Sequence, residues 1–334
     1  MSSKAAAPVI LESSQWYQRF GELEARGQSA VYEEWALSVA QDLPVLALID
    51  QLPLQKRQPN LIFACARLLG APVGSYGPFR QWLRENWPAV AAEALVRSTQ
   101  TNESRRCAAL MPALALIAAS ANRPLALLEV GASAGLCLYP DRYSYRYNNG
   151  EILDPPAGRS SVVLDCATSG PMPDIAKLPQ IVWRAGIDLN PLSVGDARDT
   201  LWLTTLMWPE QQERRERLSA AIAIVATDPP RIIRGDAVYD LAQLAAQAPD
   251  DATLVIVSAA VLVYMTATKR VRFVEVVRAT GARWVSLEGA GGLPGVASRL
   301  PREAERGQFV LALDEHPLAY TAAHGQSLDW LETA

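Results

Sequence analysis

The stretch Leu125–Leu138, LALLEVGASAGLCL, decides the fold that we predict for this chain. Its first six residues are apolar apart from Glu129, as in a strand that is covered on both faces. The segment Gly131–Gly135 follows, and its small residues allow a tight turn from the strand into a helix. A strand, a glycine turn and a helix in this order are typical of α/β folds that bind nucleotide-type ligands.

More runs with strand composition follow this stretch, and helical or turn patterns separate them. The predicted strands are 125–130, 181–189, 231–235, 253–259, 283–289 and 309–315. Strands that alternate with helices form mostly parallel sheets. We therefore predict a doubly wound, Rossmann-like α/β domain over residues 121–334, with a hairpin insertion at about 139–180.

Residues 14–120 show helical spacing of apolar side chains and predict a helical domain that covers the ligand cleft and shapes the substrate site. One helix is predicted to begin at Pro59 and to end at Gly70. Asn102 is the predicted N-cap of a later helix. Residues 1–13 are predicted to be a flexible N-terminus.

Composition argues against several classes of function. The 334 residues have a formal net charge of −4 and no long basic run, which disfavours a nucleic-acid partner. The longest apolar run, Thr253–Met265, is too short to span a membrane. Two histidines and four widely spaced cysteines predict no metal site. We expect a cytoplasmic protein that acts on a small-molecule substrate.

The glycine turn admits two readings besides the one that we favour. A dinucleotide site needs GxGxxG, but Ser133 and Leu136 stand where its second and third glycines would be. A nucleophile elbow needs GxSxG, which this turn matches, and Ser133 could form a triad with His324 and either Glu288 or Asp314. Mostly helical residues precede the strand, however, whereas hydrolase sheets have strands there.

The favoured interpretation is an S-adenosylmethionine site with the pattern ExGxxxG, in which Glu129 would accept hydrogen bonds from the ligand ammonium. An acid is then expected at the tip of the next core strand to bind the ribose hydroxyls, and Asp188 stands there. Asp236 follows a third strand, where it could accept from the adenine amino group. The predicted cofactor-binding residues are Glu129, Gly131, Ala132, Ser133, Gly135, Asp188, Leu189, Asp236 and Ala237, with Gln100, Asn102 and Glu103 as further candidates.

Four side chains are candidates for catalysis: His324, Tyr143, Ser258 and Glu288. His324 could act as a general base near neutral pH, although a lone histidine beside glycine is also a common turn residue. Tyr143 could contact substrate, but tyrosines at 143, 145 and 147 also fit one packed face of a strand. Glu288 and Ser258 end predicted strands, at the edge of the sheet where the ligand should lie.

From about Trp35 almost to its C-terminus, the chain resembles a bacterial family, domain of unknown function 2332. The resemblance rests on the stretches QTNESRRCAALMPAL, LLEVGASAGLCLYPDRYSYRY, GIDLNPL, WLTTLMWPEQQERRERL, RGDA, WVSLEG and HGQSLDWL. That family resembles class I S-adenosylmethionine-dependent methyltransferases, which implies the same fold and cofactor here. The resemblance also implies two departures, because the family usually has Asn in place of Cys137 and His in place of Ser258.

These observations predict an enzyme that transfers the methyl group of S-adenosylmethionine to an O or N atom of a small molecule. In a second version the cofactor is itself the substrate, and an intramolecular cyclisation or a lysis releases methylthioadenosine. A serine hydrolase and a non-catalytic S-adenosylmethionine-binding protein are the remaining alternatives.

Overall fold

The fold is that of a computed structural model, in which residues 12–332 are described. Most of the predicted flexible N-terminus, residues 1–11, lies outside the described part of the chain. The chain divides into two compact units. The first comprises Met1–Thr101 and Leu201–Glu216, and the second comprises Asn102–Thr200 and Arg217–Ala334.

The first unit is helical over its described residues. Its helices are α1 (Ser13–Phe20), which continues into a π-helical turn (Gly21–Ala25), α2 (Ala30–Val39), α3 (Leu43–Ile49), α4 (Pro59–Leu68) and α5 (Tyr76–Val96). The predicted helix from Pro59 is confirmed. Aromatic packing forms the core, where the rings of Trp35 and Phe79 stack with centroids 3.7 Å apart and Phe63 meets both edge-on.

The second unit is a mixed α/β fold around a large, mostly parallel sheet of eleven strands within the described residues. The strands are β1 (Leu125–Val130), β2 (Ser144–Tyr147), β3 (Ile152–Leu153), β4 (Val163–Ser169), β5 (Ile181–Asp188), β6 (Arg231–Arg234), β7 (Thr253–Ala259), β8 (Arg283–Gly289), β9 (Gln308–Leu313), β10 (His316–Ala322) and β11 (Ser327–Trp330). Their order in the sheet is β3-β2-β4-β11-β10-β9-β8-β7-β1-β5-β6. All six strands predicted from composition are therefore confirmed within two residues at each end.

Helices complete the chain. They are α6 (Arg106–Ala121), α7 (Ala197–Leu206), α8 (Gln212–Ala226), α9 (Ala237–Ala245), α10 (Ala267–Ala279) and the short α11 (Pro294–Ala297). Leu128 and Val130 of β1 belong to a core cluster with side chains of α9 and α10. Because side chains alternate along a strand, Glu129 lies on the opposite face of the sheet.

The prediction of a helix after the glycine turn is wrong. The chain instead makes two single 3-10 turns, Leu136–Leu138 and Pro140–Arg142, and then enters β2. Pro140 explains the difference, because it lacks the N–H that would continue the helix and it disfavours the helical region for the residue before it. Within the segment predicted to be a hairpin insertion, β2 and β3 form an antiparallel pair.

Candidate functional site

The candidate site lies where the carboxyl ends of the central parallel strands meet. β1 pairs in parallel with β5 on one side and with β7 on the other, and β6 and β8 extend the parallel set. All five strands therefore end at the same edge of the sheet. The glycine turn follows β1 at this edge, with Asp188 ending β5 and Asp236 two residues beyond β6.

Contacts within the chain, rather than open space for a ligand, account for the glycines of the turn. Gly131 and Gly135 have φ angles of 72° and 76°, in the left-handed region that favours glycine. A Cβ atom at position 131 would lie 2.6 Å from Val261 Cγ2, and one at position 135 would lie 2.7 Å from Pro230 Cγ. Ser133, with a φ of 51°, adopts the left-handed region without being glycine.

Glu129 is the most unusual polar group at this edge. It is only 4% exposed, and its Oε2 atom has no hydrogen-bond partner among the described residues. Burial raises the pKa of Glu129 well above its usual value, with a further increase from Cys137 and Asp188 and an opposing effect of Arg106. A cationic donor placed beside Glu129 would favour the ionised carboxylate and could donate a hydrogen bond to Oε2.

Asp188 fixes the shape of the glycine turn. Its Oδ2 atom accepts the Ser133 N–H at 2.8 Å, and its Oδ1 atom accepts the Asn190 N–H at 2.7 Å. A carboxylate has about four acceptor positions, so Asp188 retains capacity for ligand hydroxyls. The next residue, Leu189, exposes its apolar side chain at the same strand tip.

Asp236 begins α9 and is partly occupied by internal contacts. Its Oδ1 atom accepts the Val238 N–H at 3.0 Å, as an N-cap should, and its Oδ2 atom accepts from Lys269 Nζ at 2.7 Å. Burial alone would raise the pKa of Asp236, but the contacts with Lys269 and the Val238 N–H outweigh it and lower the pKa. Ala237 is buried at the first position of the helix.

Asn102 holds the glycine turn instead of capping a helix. The predicted N-cap role is wrong, because α6 begins four residues later, at Arg106. Asn102 Nδ2 donates to Ala132 O at 3.2 Å, and its Oδ1 atom accepts the Leu136 N–H at 3.1 Å. The neighbouring Glu103 is also buried, and its Oε1 atom accepts from Arg217 Nε at 3.3 Å. Gln100, the third candidate of this segment, belongs to the first unit.

Asn102→Ala is expected to destabilise the protein by about 2 to 3 kcal/mol, since it leaves two buried backbone groups without their hydrogen bonds. Urea denaturation measures the loss. Asn86→Ala is the control, because Asn86 lies in α5 and donates to the carbonyl of Trp82 one turn earlier in the same helix. The control is expected to change stability by less than about 0.5 kcal/mol. Equal effects of the two substitutions would contradict the role of Asn102.

Glu288 and Ser258 form a buried pair at the tips of β8 and β7. Glu288 is 3% exposed, and burial raises its pKa to about 7 against the opposing effects of Arg106, two backbone N–H groups and the Ser258 hydroxyl. The Ser258 Oγ atom accepts from Trp284 Nε1 at 3.2 Å. Both residues therefore lie at the expected edge, in the interior of the second unit.

The tyrosines of the insertion pack internally. Tyr143 is fully buried, and its hydroxyl donates to Leu136 O at 2.7 Å. The hydroxyl of Tyr145 donates to Pro140 O, and that of Tyr147 donates to Ala108 O at 2.9 Å. Burial raises the pKa of all three side chains well above the usual value, so they remain neutral donors at physiological pH. Tyr143 thus supports the segment that follows the glycine turn.

His324 lies in the turn between β10 and β11. Its backbone N–H donates to Gln326 Oε1 at 3.2 Å, and its side chain is half-buried. The turn lies against the start of α6, because Arg106 Nε donates to Ala323 O at 3.2 Å. Arg106 also donates from Nη1 to Ala259 O at 3.2 Å, and so it links this turn to the tip of β7.

The structure separates Ser133 from Asp314, one of the two acids considered for the triad that the GxSxG pattern suggests. Asp314 accepts the Trp284 N–H at 2.8 Å, at the beginning of β8, and therefore lies at the edge of the sheet opposite Ser133. The Ser133 Oγ atom is buried with no hydrogen-bond partner among residues 12–332, whereas a nucleophilic serine needs a base within hydrogen-bonding distance.

Three residues that shape this edge were not predicted from the sequence: Arg106, Val261 and Lys269. An arginine inside the apolar segment RRCAALMPAL is a usable signal, because a buried charge needs partners. Val261 and Lys269 have ordinary surroundings in the sequence, and their roles depend on which loops the sheet brings together.

The family model for domain of unknown function 2332, described as an uncharacterized protein conserved in bacteria, matches residues 14–330. The chain belongs to this family. The match extends from α1 to β11, so the matched region includes the whole candidate site. No curated protein and no solved structure matches the chain.

Across residues 12–332, no helix combines the length and the apolar character needed to cross a membrane. In the same range, no three His, Cys, Asp or Glu side chains come together in a group that could hold a metal ion.

Proposed function

We propose that this protein is an S-adenosylmethionine-dependent transferase that methylates a small molecule at O or N. The cofactor would bind at the carboxyl ends of β1, β5 and β6. The observation that carries the proposal is Glu129, a buried carboxylate at the end of the central strand whose Oε2 atom lacks a partner among the described residues.

The strand order supports a ligand site at this edge and a doubly wound, Rossmann-like arrangement. From β1 the chain moves outward to β5 and β6, and then β7 and β8 continue on the other side of β1. Such a reversal is a topological switch point, and open α/β sheets bind ligands outside the carboxyl ends of the strands there. The glycine turn and the tip of β7 flank this switch point.

The chemistry of the edge favours a ligand that brings donors and positive charge. Glu129, Asp188 and Asp236 supply carboxylate acceptors at three strand ends. A pyrophosphate would instead need backbone N–H groups at the start of a long helix, and only the three-residue turn Leu136–Leu138 follows the glycines. S-adenosylmethionine offers an ammonium, a sulfonium, two ribose hydroxyls and an adenine amino group, which complement these acceptors.

In this proposal each acid has a separate role. Glu129 would accept the ligand ammonium, Asp188 would accept the ribose hydroxyls, and Asp236 with Ala237 would bind the adenine amino edge beside Leu189. When bound, the cofactor supplies a methyl group that the sulfonium already activates. The protein contributes orientation and proximity, which can provide most of the acceleration in a direct displacement.

Calorimetry with S-adenosylmethionine tests the proposal. We expect wild-type protein to bind the ligand, and Asp188→Ala to weaken binding at least about tenfold through loss of a charged hydrogen-bond acceptor. Asp174→Ala is the control, because Asp174 is exposed in the loop before β5, and it should bind as the wild type does. Absence of binding by wild-type protein at millimolar ligand would refute the proposal.

Mass analysis of the products then identifies the reaction. S-adenosylhomocysteine would indicate methyl transfer, whereas methylthioadenosine would indicate that the cofactor is itself cyclised or cleaved. Binding without turnover, across a panel of small nucleophiles, would favour a non-catalytic binding protein. Labelling of Ser133 by a fluorophosphonate would support a hydrolase instead and would contradict the proposal.

A further inference from the structure

The turn Ala260–Leu262, which follows β7, fills the space beside the glycine turn. The Val261 side chain lies so close to Gly131 that a Cβ atom there would be 2.6 Å from Cγ2 and 3.0 Å from Cβ of Val261. A ligand that approaches the backbone of Gly131 must therefore compete with Val261 for this space.

Two buried charged residues hold this turn. The carboxylate of Glu288 accepts the Val261 N–H at 3.1 Å and the Leu262 N–H at 3.2 Å. Arg106 Nη1 donates to the carbonyl of Ala259, at the end of β7. Ala260 has a φ of 58°, which L side chains rarely adopt, so this conformation depends on the contacts around it.

We propose that Glu288 is a positioning residue for the cofactor site: its carboxyl group holds Val261 over Gly131, and release of this hold opens Gly131 to the amino-acid end of the ligand. The part that concerns the ligand rests on the proposed function. The inference that Glu288 holds the turn rests on its contacts with the turn and does not depend on the proposed function.

The surroundings of Glu288 make this hold depend on pH. Arg106 faces it from α6, the Ser258 hydroxyl faces it from β7, and the apolar Val310 pairs with it on β9. Burial raises the pKa of Glu288 to about 7, although these polar groups and the turn N–H groups oppose the shift. Opening of the turn would admit water and return the pKa toward its usual value. The open form then binds the proton less tightly, so a rise in pH favours opening.

Hydrogen exchange of the peptide that contains Val261 and Leu262 tests the hold without any ligand. After correction for the intrinsic rates, we expect the opening equilibrium in wild-type protein to increase about tenfold between roughly pH 6 and pH 8. Glu288→Gln, which mimics the neutral side chain, should remove this dependence. Glu303→Gln, at an exposed site before β9, should keep it. The proposal would be overturned if the opening equilibrium did not change with pH in the wild type, or if its pH dependence persisted in Glu288→Gln.

Val261→Ala tests the consequence for the ligand while leaving the contacts of Glu288 intact. We expect this variant to bind S-adenosylmethionine more tightly than wild-type protein does at pH 6 and by a smaller factor at pH 8, with the pH dependence of exchange unchanged. The effect of Glu129 on affinity is common to both proteins at each pH and cancels in this comparison. An affinity at pH 6 equal to that of the wild type at pH 6 would overturn the role of Val261. If exchange behaves as expected but wild-type protein binds no S-adenosylmethionine at either pH, the proposed function fails and the hold of Glu288 on the turn stands.

Discussion

Gly325→Ala is expected to lower the free energy of unfolding by about 3 kcal/mol or more, the sum of backbone strain and steric overlap. Gly325 has a φ of 77°, and a Cβ atom there would lie 2.4 Å from the carbonyl oxygen of Arg105. The overlap is with backbone, which cannot rotate away as a side chain could. The same backbone leads into α6 and carries Arg106, so the damage should reach the candidate site.

Gly307→Ala is the matched control for this substitution. Gly307 has a similar φ of 81°, but a Cβ atom there would meet nothing within 4 Å. It should therefore cost only the strain, about 1 kcal/mol. Urea denaturation of both variants measures the difference. Equal losses would show that the close approach of Gly325 to Arg105 is unimportant.

Glu129→Gln is expected to weaken binding of S-adenosylmethionine by about a hundredfold, because a neutral amide cannot compensate a buried ammonium. Burial raises the pKa of Glu129, so the free protein holds this proton more tightly than an exposed carboxyl does. A cationic ligand favours the ionised form and expels the proton. While Glu129 is protonated in the free protein, affinity should rise with pH by up to about tenfold per pH unit.

Calorimetry in buffers of different ionisation enthalpy counts the released protons. On binding S-adenosylmethionine, wild-type protein should release up to about one proton more than Glu129→Gln does. Any proton that Glu288 releases on binding is common to both proteins and cancels in the difference. Equal proton release and equal affinity would contradict the role of Glu129.

Stability measurements separate a binding defect from a folding defect in the same variant. A carboxyl with a raised pKa in the folded state stabilises the protein fully below its unfolded pKa, and this contribution is lost as pH rises through the folded pKa. Glu129→Gln should therefore be at least as stable as the wild type at about pH 8. A loss of affinity at that pH would then come from the site itself.

The strands were predictable because burial on both faces leaves a simple mark in the sequence. LALLEV and RWVSLEG coincide with β1 and β8 at both ends. β4, with seven residues, and β11, with four, both mix polar with apolar residues and carry no such mark. The sequence analysis predicted a helix after Gly135 because it followed the glycine pattern and gave too little weight to Pro140. Proline prevents a helix from continuing, and the chain makes two short 3-10 turns instead.

The acidic residues of the candidate site could be predicted from the sequence. The contacts that these and other residues make within the site could be predicted much less well. Asp188 and Asp236 stand where parallel strands end, which follows from strand prediction alone. That Asp188 also fixes Ser133, or that Asn102 holds the turn from both sides, depends on distances between segments far apart in the chain. The place of Val261 beside Gly131 follows from the pairing of β1 with β7, which no local pattern encodes.

The position of β11 in the sheet has a consequence for how the chain matures during synthesis. β11 lies between β10 and β4, and it pairs with a segment more than 150 residues earlier in the chain. Until the ribosome has released residues 327–330, the edges of β4 and β10 that β11 will cover remain unpaired. Unpaired edges attract other strands, so the nascent second unit is most exposed to misassembly in the interval before β11 is available to pair.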